Sequence, residues 1–464
     1  MRETPRPEIS SPPVADEPDI DPRGAEHEAE RLAPAPPVPG VATEARPGMR
    51  GTLRMAAIDL GPLRRHRDFR LLFFGQGTSF LGSMITYVAL PYQVYQLTGS
   101  SLMVGLLGIA ELFPLLVTAL LGGLLADARD RRRMLQLTEL SLAAASGVLL
   151  LNALLPDPQL WLLFVVAATM AGLDGLQRPS LDALTPRLVD RAELPAASAI
   201  DSFRFTIGLI IGPAVGGILI ATVGLAATYG IDVVTFLVSL SMLRLMRAAP
   251  PPAEPAKVSV ASIVEGVRYA SRNQVLVGTY TVDMVAMFFG MPMALYPAFA
   301  QEFGGAGVLG LMYAAPSVGS MLATVTSGWT GQVHRHGAAI CLAAAAWGLA
   351  ICGVGMAPNL ALVLFGLAVA GAADMISGIF RSTVWNQTIP DELRGRLAGI
   401  EQVSYPSGPL LGNVESGVVA SLAGVRASIV SGGLLCVAGV AVMAVALPAF
   451  WRYDASQAET PVKR

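Results

Sequence analysis

The sequence predicts an all-α membrane protein in which twelve transmembrane helices form two six-helix halves, with both termini in the cytoplasm. Three observations support this fold class. Hydrophobic residues make up 53% of the 464 residues and charged residues only 14%, whereas soluble domains are about a quarter charged. Apolar segments of roughly 20 residues, the length that crosses a bilayer, recur along the chain. The arginines concentrate in alternate loops between these segments.

Residues 1–62 differ in composition from the rest of the chain. They are rich in Pro, Glu, Asp and Ala and contain few large apolar side chains. Such a segment buries too little apolar surface to offset the entropy of ordering, so we predict a disordered cytoplasmic tail. It also lacks the basic start and apolar core of a signal peptide.

The apolar segments number twelve. Each is long enough to span the membrane as a helix. They cover residues 70–95, 102–126, 134–155, 159–183, 197–222, 226–246, 276–300, 307–330, 338–356, 360–385, 397–421 and 426–449.

The loops between these segments predict the orientation. The loops after even-numbered segments read "ADARDRRR", "TPRLVDRAEL", "GQVHRHG" and "PDELRGR". The loops after odd-numbered segments contain one arginine, Arg426. Since basic loops stay on the cytoplasmic side, both termini are expected in the cytoplasm.

The longest of these cytoplasmic loops, 247–275, divides the chain into a half at 63–246 and a half at 276–450, followed by a cytoplasmic tail at 451–464. This linker begins with a proline-rich break, "AAPPPAEP". It continues as "SVASIVEGVRYASRN", which is typical of a short amphipathic helix on a membrane surface.

The two halves contain matching stretches. "IGPAVGGILIATVG" at 211–224 aligns with "LGNVESGVVASLAG" at 411–424, at an offset of 200. "VGLLGIAELF" at 104–113 aligns with "LGLMYAAPSV" at 309–318, at an offset of 205. Internal repeats of this kind are typical of transporters that bind substrate near the bilayer midplane between two halves.

Two motifs make the chain resemble the major facilitator superfamily, from about residue 65 to 450. The loop after the second span resembles the family signature, and "GPAVGG" at 212–217 resembles the fifth-span motif of antiporters. Strings such as "TPRLVDRAEL" and "IPDELRGRLAGI" are similar to the branch of siderophore (enterobactin-type) exporters and multidrug efflux proteins. The signature residues present here are Gly123, Leu125, Ala126, Asp127, Arg131 and Arg132.

The resemblance implies a conformational gate built from Gly123, Asp127, Arg131 and Arg132. In the family the carboxylate approaches the start of the eleventh helix, here near 395–398, whose partial positive charge would attract it. The arginines also fix topology by the positive-inside rule. The antiporter-type motif consists of Gly212, Pro213, Gly216 and Gly217, which allow either close helix packing or a bend beside the cavity.

Ionisable side chains within the spans are functional candidates because charge is costly in hydrocarbon. Glu111, Asp174 and Asp374 are the candidates for proton coupling, which needs a buried carboxylate that binds a proton on one side and releases it on the other. Six residues are candidates for lining a substrate cavity. The arginines among them would pair with an anionic catecholate. The methionines and the phenylalanine would adapt to the shape of a bulky ligand, although lipid contact or helix packing would explain their presence equally well. They are Arg178, Arg204, Arg381, Met287, Phe288 and Met291.

Other classes of protein fit the sequence poorly. Only two lysines occur, Lys257 and Lys463, and neither forms the phosphate-binding loop of an ATPase. The four histidines fall in the tail and cytoplasmic loops without a nucleophile motif, which argues against an enzyme. We expect neither a metal site nor a cofactor, and no segment suits the output domain of a sensor.

Secondary transport is therefore the predicted function. The leading hypothesis is proton-coupled export of an enterobactin-like siderophore from a bacterium. The alternative is a proton-driven multidrug pump for macrolides, tetracycline or cationic dyes, and uptake or lipid flipping is a third interpretation. The expected partners are a small-molecule substrate, protons and the lipid bilayer of the plasma membrane, with no nucleic acid and a monomeric state.

Overall fold

The computed structural model describes residues 59–128, 130–247 and 268–458. The expected tail 1–62 and linker 247–275 therefore fall largely outside the described residues. Every regular element in the described ranges is a helix. Side chains are not described for residues 120–128, 391–392, 394–396, 398–404 and 457–458.

The long helices are numbered α1 to α12 in chain order. Leu194–Leu245 is one helical run that breaks at Gly224, whose φ of 81° lies in the left-handed region that suits glycine. The break gives α5 (194–223) and α6 (225–245). The other helices are α1 (Arg67–Thr98), α2 (Ser101–Ala128), α3 (Arg131–Leu154), α4 (Leu160–Leu188), α7 (Gln274–Gly290), α8 (Ala306–Val325), α9 (His336–Met356), α10 (Leu360–Thr388), α11 (Asp391–Ala423) and α12 (Val425–Ala446).

Polar side chains cap three of these helices at their first turn. Asp130 accepts hydrogen bonds from the backbone N–H groups of Arg132 and Arg133 at 2.9 and 3.3 Å and so starts α3. Asn273 and Asn359 cap α7 and α10 in the same way. Asp130, an acidic residue of the charged loop after the second span, is therefore the N-cap of α3.

Nine segments of the described residues have the length and hydropathy to cross a membrane. Arg191–Leu245 counts once among them, although it contains the break at Gly224. Helices α1 and α11 are 32 and 33 residues long but are not among the nine. The chain is thus a helical multi-pass membrane protein.

The seventh span departs from the continuous segment expected at 276–300. Helix α7 ends at Gly290, and a 3-10 turn and the short helix Tyr296–Gln301 follow. Trp347 packs against this end and donates its indole N–H to the carbonyl of Gly290 at 2.8 Å. Pro292 has no N–H to continue the helix, which is why the segment bends.

Each half packs mainly within itself. In the first half, α1 and α3 pack along the α5–α6 run, and α2 and α3 pack on α4. In the second half, α7 packs on α11 and α12, α8 on α10, and α9 on α10 and α12. Among the described residues, the halves meet mainly through two pairs, α2 with α11 and α5 with α8, and α1 adds a smaller contact with α8.

Glycines allow these two pairs to approach closely. A Cβ on Gly105 or Gly108 of α2 would collide with backbone carbonyls of α11, and one on Gly310 of α8 with a carbonyl of α5. The matching glycine on α5 is Gly217, where a Cβ would lie 2.7 Å from the backbone nitrogen of Gly310. Gly212 and Gly216 instead face α1. The "GPAVGG" motif therefore packs α5 against helices of both halves, as small residues do in membranes.

These contacts lie toward one end of the bundle. We call it the arginine-poor end. Among the described residues, the one arginine found there is Arg426, directly after the break at Gly424. This end holds the turns at 99–100, 155–159, 302–305 and 357–359 and the breaks at Gly224 and Gly424. Arg426 binds Glu302 at 2.7 Å and donates to the carbonyls of Gly355 and Ala357 at 3.1 and 2.9 Å. The opposite, arginine-rich end holds the turns at 130, 189–190 and 389–390.

Alanine at Gly108 or Gly310 should separate the halves at the arginine-poor end. The added methyl group overpacks a backbone contact at a cost of about 1–3 kcal/mol, which shifts a two-state equilibrium roughly 5–150-fold. Spin labels at positions 103 and 418, both exposed, would report a longer distance. Gly353→Ala is the matched control, because nothing lies within 4 Å of its Cβ position. An unchanged distance in both variants would contradict this account.

Candidate substrate and coupling site

A buried ion pair joins α7 and α10 in the second half. Arg381 is 6% exposed and contacts the carboxylate of Asp283 directly. Its second amino group lies 3.6 Å from Asp374, which is seven residues earlier on α10. One guanidinium thus compensates two carboxylates inside the bundle.

Asp374 has a counterpart in the first half. Helices α4 and α10 are both 29 residues long, and Leu160 and Leu360, where they begin, lie 200 positions apart. The same offset relates Asp174 to Asp374, so both carboxylates lie midway along equivalent helices. Both residues are predicted from the sequence as proton-coupling candidates, whereas their equivalence emerges from the bounds of the two helices.

Arg178 brings charge from the first half toward the second. It lies one turn from Asp174, and both side chains are exposed. Its charge acts on the hydroxyl of Tyr405 in α11, together with the charges of Asp374, Asp283 and Arg381. Since Arg178 and Tyr405 are both exposed, we expect these side chains of α4 and α11 to face a common space between the halves, which we call the central cavity.

Glu111 lies beside a group of tyrosines where the halves meet. Its charge acts on Tyr87 of α1 and on Tyr313 of α8. These rings lie 5.3 Å apart at centroids, and Tyr296 stacks edge-on against Tyr313 at 5.1 Å. Tyr87 also donates to the sulfur of Met293 at 2.9 Å. We call these three aromatic residues the tyrosine cluster; sequence analysis missed it because its members come from distant helices.

The candidate gate is described only in part. The side chains of Gly123 and Asp127 lie outside the described residues. Arg131 donates to the carbonyl of Ala183 at 3.1 Å, which ties α3 to α4. Arg132 donates to the carbonyls of Leu243 and Arg244 at 2.8 and 2.6 Å, at the end of α6. These bonds stay within the first half.

The other cavity candidates lie in packed positions. Arg204 pairs with Asp201 at 3.5 Å on the same helix. Met287 is 6% exposed and packs α7 against Gly408 of α11. The backbone of Phe288 contacts Gly412 of α11, and Met291 ends α7. Of the predicted arginines, Arg178 is therefore the one most exposed to the central cavity.

A group of potential metal ligands lies at the arginine-rich end. Oxygen or nitrogen atoms of His66, Asp190 and Glu193 fall within 4.8 Å of one another. Glu193 already binds the imidazole of His66 at 2.6 Å and contacts Arg65. A cation at this position would compete with that arginine, so the group is adequately explained as an ion-pair network.

Similar proteins share this architecture. The bacterial homologue of the lysosomal transporter Spinster, in an inward-facing and unoccupied conformation, matches with a TM-score of 0.64 over 84% of this chain and 96% of its own, at 14% identity. The nucleoside transporter NupG matches with a TM-score of 0.62 over 83% and 98%, at 15% identity. A POT family transporter in complex with 5-aminolevulinic acid reaches 0.66 over 83% and 97%, at 12% identity. At these identities the likeness concerns the fold.

Curated relatives are similar in sequence as well. "Enterobactin exporter EntS" of Shigella boydii serotype 4 (strain Sb227) is 28% identical over 390 residues, covering 84% of this chain and 94% of the relative. The protein of the same name from Escherichia coli O1:K1 / APEC matches equally.

The paired helices, the buried ion pair and these relatives define a membrane transporter and not an enzyme. The profile of the family described as transmembrane secretion effector matches residues 57–462. The chain belongs to this family of major facilitator proteins.

Removing Arg381 should destabilise the second half strongly. Arg381→Ala leaves Asp283 and Asp374 buried without their cation, at an expected cost of about 3–5 kcal/mol. Unfolding of the purified protein in detergent would measure the loss. Arg67→Ala is the control, because Arg67 is itself exposed and its pair with Asp68 at 3.7 Å is expected to contribute about 0–1 kcal/mol. The double variant Arg381→Gln with Asp283→Asn should recover part of the stability, and equal losses for both alanine variants would refute the assignment.

Proposed function

We propose that this protein is a secondary active exporter of the bacterial plasma membrane that moves a siderophore outward in exchange for protons. The observation that carries the proposal is that charged groups of the equivalent helices α4 and α10, namely Arg178, Asp374 and Arg381, all lie near Tyr405 of α11. Charge at this depth is expensive and therefore marks a transport path.

The proposed topology has twelve crossings in the major facilitator arrangement, with both termini cytoplasmic. Helices α1 and α11 have 32 and 33 residues, and at about 1.5 Å per residue each exceeds a hydrocarbon core of roughly 30 Å. The break at Gly224 supports two crossings within Leu194–Leu245. The arginine-rich end then faces the cytoplasm. The linker 247–275 joins a first half at 63–246 to a second half at 276–450. A tail lies at each end of the chain, at 1–62 and at 451–464.

Alternating access would follow from exchange of contacts between the two ends. The described glycine contacts between the halves lie toward the arginine-poor end, as expected for a state closed to the outside. In the opposite state the gate of Gly123, Asp127, Arg131 and Arg132 would close the cytoplasmic end against the start of α11. A helix-terminus contact is worth about 0.3–2 kcal/mol, enough to bias such an equilibrium.

Proton coupling is assigned to Glu111, Asp174 and Asp374. Asp374 has Arg381 within 3.6 Å, and Asp174 has Arg178 one turn away. No described cation pairs with Glu111, which lies against the tyrosine cluster. The proton occupancy of this carboxylate would change as the halves move and water reaches it.

The substrate assignment rests on the relatives and on the chemistry of the cavity. The curated relatives carry the name of enterobactin exporters. Arg178 offers an exposed guanidinium for an anionic catecholate, and Tyr405 offers a ring on which an aromatic substrate can stack. The protein would act as a monomer with a small-molecule substrate, protons and the bilayer as its partners, without a cofactor.

A multidrug pump is the second candidate, and one observation favours it. Glu111 beside the rings of Tyr87 and Tyr313 combines a carboxylate with aromatic faces, a setting that attracts organic cations. A pump of this kind would use Glu111 for the drug and would have little need of Arg178.

Transport by inside-out vesicles separates the two candidates. With an imposed proton gradient, wild type should accumulate labelled enterobactin, and Arg178→Gln should reduce this at least about tenfold by removing a contact of about 1.4 kcal/mol or more. Glu111→Gln should abolish the dependence on the gradient.

Accumulation of a cationic dye instead of enterobactin, lost in Glu111→Gln and retained in Arg178→Gln, would establish the multidrug pump and refute the siderophore assignment. Arg133→Gln is a control for both assays, because this exposed arginine lies at the arginine-rich end of α3.

A further inference from the structure

Glu139 of α3 is a fully buried carboxylate whose two oxygens differ in their hydrogen-bond partners. It is 0% exposed. Its Oε1 accepts hydrogen bonds from Gln76 of α1 at 2.7 Å, from Ser79 at 3.0 Å and from Gln177 of α4 at 2.9 Å. Its Oε2 is buried and has no hydrogen-bond partner. Three donors therefore converge on one oxygen and leave the other unsatisfied.

The donors around Glu139 are neutral, and the charged groups of the neighbouring helices lie elsewhere. Arg132, seven residues earlier on α3, donates to the carbonyls at the end of α6. The remaining charged residues on the packed helices are Arg67, Asp68 and Arg70 on α1, Asp174, Arg178, Asp182 and Arg187 on α4, and Asp232 and Arg244 on α6. Among the described residues, the side chains that act on the carboxylate of Glu139 are all neutral.

A second buried carboxylate in the same half provides the contrast. Asp232 of α6 is also 0% exposed. Its Oδ2 accepts from Thr86 and Ser146, both at 2.6 Å, and its Oδ1 lies 3.3 Å from the hydroxyl of Thr235. Both oxygens of Asp232 thus have partners. The two bonds to Oδ2 have the short distances typical of charge-assisted hydrogen bonds. Because Asp232 and Glu139 are equally buried but differ in the hydrogen bonds of their oxygens, Asp232 is a matched comparison for Glu139.

An ionised Glu139 would place an uncompensated charge and an unsolvated oxygen in the interior, which is costly. A proton on Oε2 removes the charge while Oε1 keeps its three donors. We propose that Glu139 is a proton-binding site of the transport cycle and that Gln177 connects it to the central cavity. This inference rests on the proton coupling proposed above and adds to it a carboxylate away from the cavity surface.

The connection follows from the two faces of α4. Gln177 is 7% exposed and bonds Glu139, whereas its neighbour Arg178 is exposed to the central cavity. Pro179 follows at once and removes a backbone hydrogen bond of the helix, so α4 can bend there. A substrate that displaces Asp174 or Arg178 would move Gln177 as well. Loss of this donor opens Glu139 to water, and the proton passes from Oε2 to that water.

Two variants of Glu139 separate titration from packing. Glu139→Gln keeps the shape and hydrogen-bonding capacity but cannot titrate, whereas Glu139→Asp titrates but is shorter. In inside-out vesicles we expect gradient-driven accumulation of labelled enterobactin to fall about tenfold or more in Glu139→Gln. Exchange of labelled for unlabelled enterobactin without a gradient should continue in that variant. Glu139→Asp should retain the gradient dependence, and so should Asp232→Asn.

A spectroscopic readout tests the same site without transport. The infrared band of a protonated carboxyl group should change between low and high pH in the purified protein. One component of this change, that of a carboxyl group shielded from water, should be missing in Glu139→Gln and present in Asp232→Asn. If Glu139→Gln does not reach the membrane, Gln177→Leu should show the same loss of coupling with the infrared band retained.

The inference is overturned if Glu139→Gln accumulates enterobactin like wild type, if Glu139→Asp is the more defective variant, or if the infrared change is unaffected by Glu139→Gln. Failure of wild type to use a proton gradient would instead refute the proposed function. The infrared measurement still decides in that case whether Glu139 binds a proton.

Discussion

A charged side chain at the centre of a bilayer costs about 2.5–3.5 kcal/mol by insertion scales, and the two halves of this protein meet that cost in different ways. The second half surrounds Arg381 with Asp283 and Asp374, so that charges compensate one another. The first half instead gives Glu139 and Asp232 neutral donors from α1, α3 and α4. These arrangements determine which residues must point inward and hence how the helices of each half are rotated.

Close backbone contact is the second requirement, and it explains where the halves can touch. Gly105 and Gly108 admit the carbonyls of α11, while Gly217 and Gly310 bring α5 and α8 together. Such contacts bury little apolar surface and bring backbones together, which is the packing that lipid surroundings favour. Because they involve a few small residues at one end, the halves could separate there without unfolding, as the proposed alternating access requires.

The sequence predicted the helical class and the location of most long helices, since hydropathy is a local signal. It identified Asp174, Asp374 and Arg381, because charge in an apolar segment is conspicuous. It did not identify Glu139, a single acidic residue in the segment that became α3, nor the tyrosine cluster. Those features depend on side chains from several helices. The bend after α7 follows from Pro292, and the indole of Trp347, 57 residues beyond Gly290, binds the end of that helix.

The offset between the halves has an evolutionary consequence. Helices α2 and α8 begin 205 positions apart, as do α3 and α9, whereas α4 and α10 begin and end 200 apart. The offset therefore changes between the starts of α3 and α4 and those of their counterparts. One residue inserted within α4 would turn its far end by about 100° and carry Asp174 away from the cavity. Helix α3 was free of that restriction, and at the position equivalent to Glu139 the duplicated half has Ala344. Asp174 thus keeps an acidic counterpart in Asp374, whereas Arg178 corresponds to Gly378 and Glu139 to an alanine. The two halves have kept one carboxylate in register and differ in the charges around it.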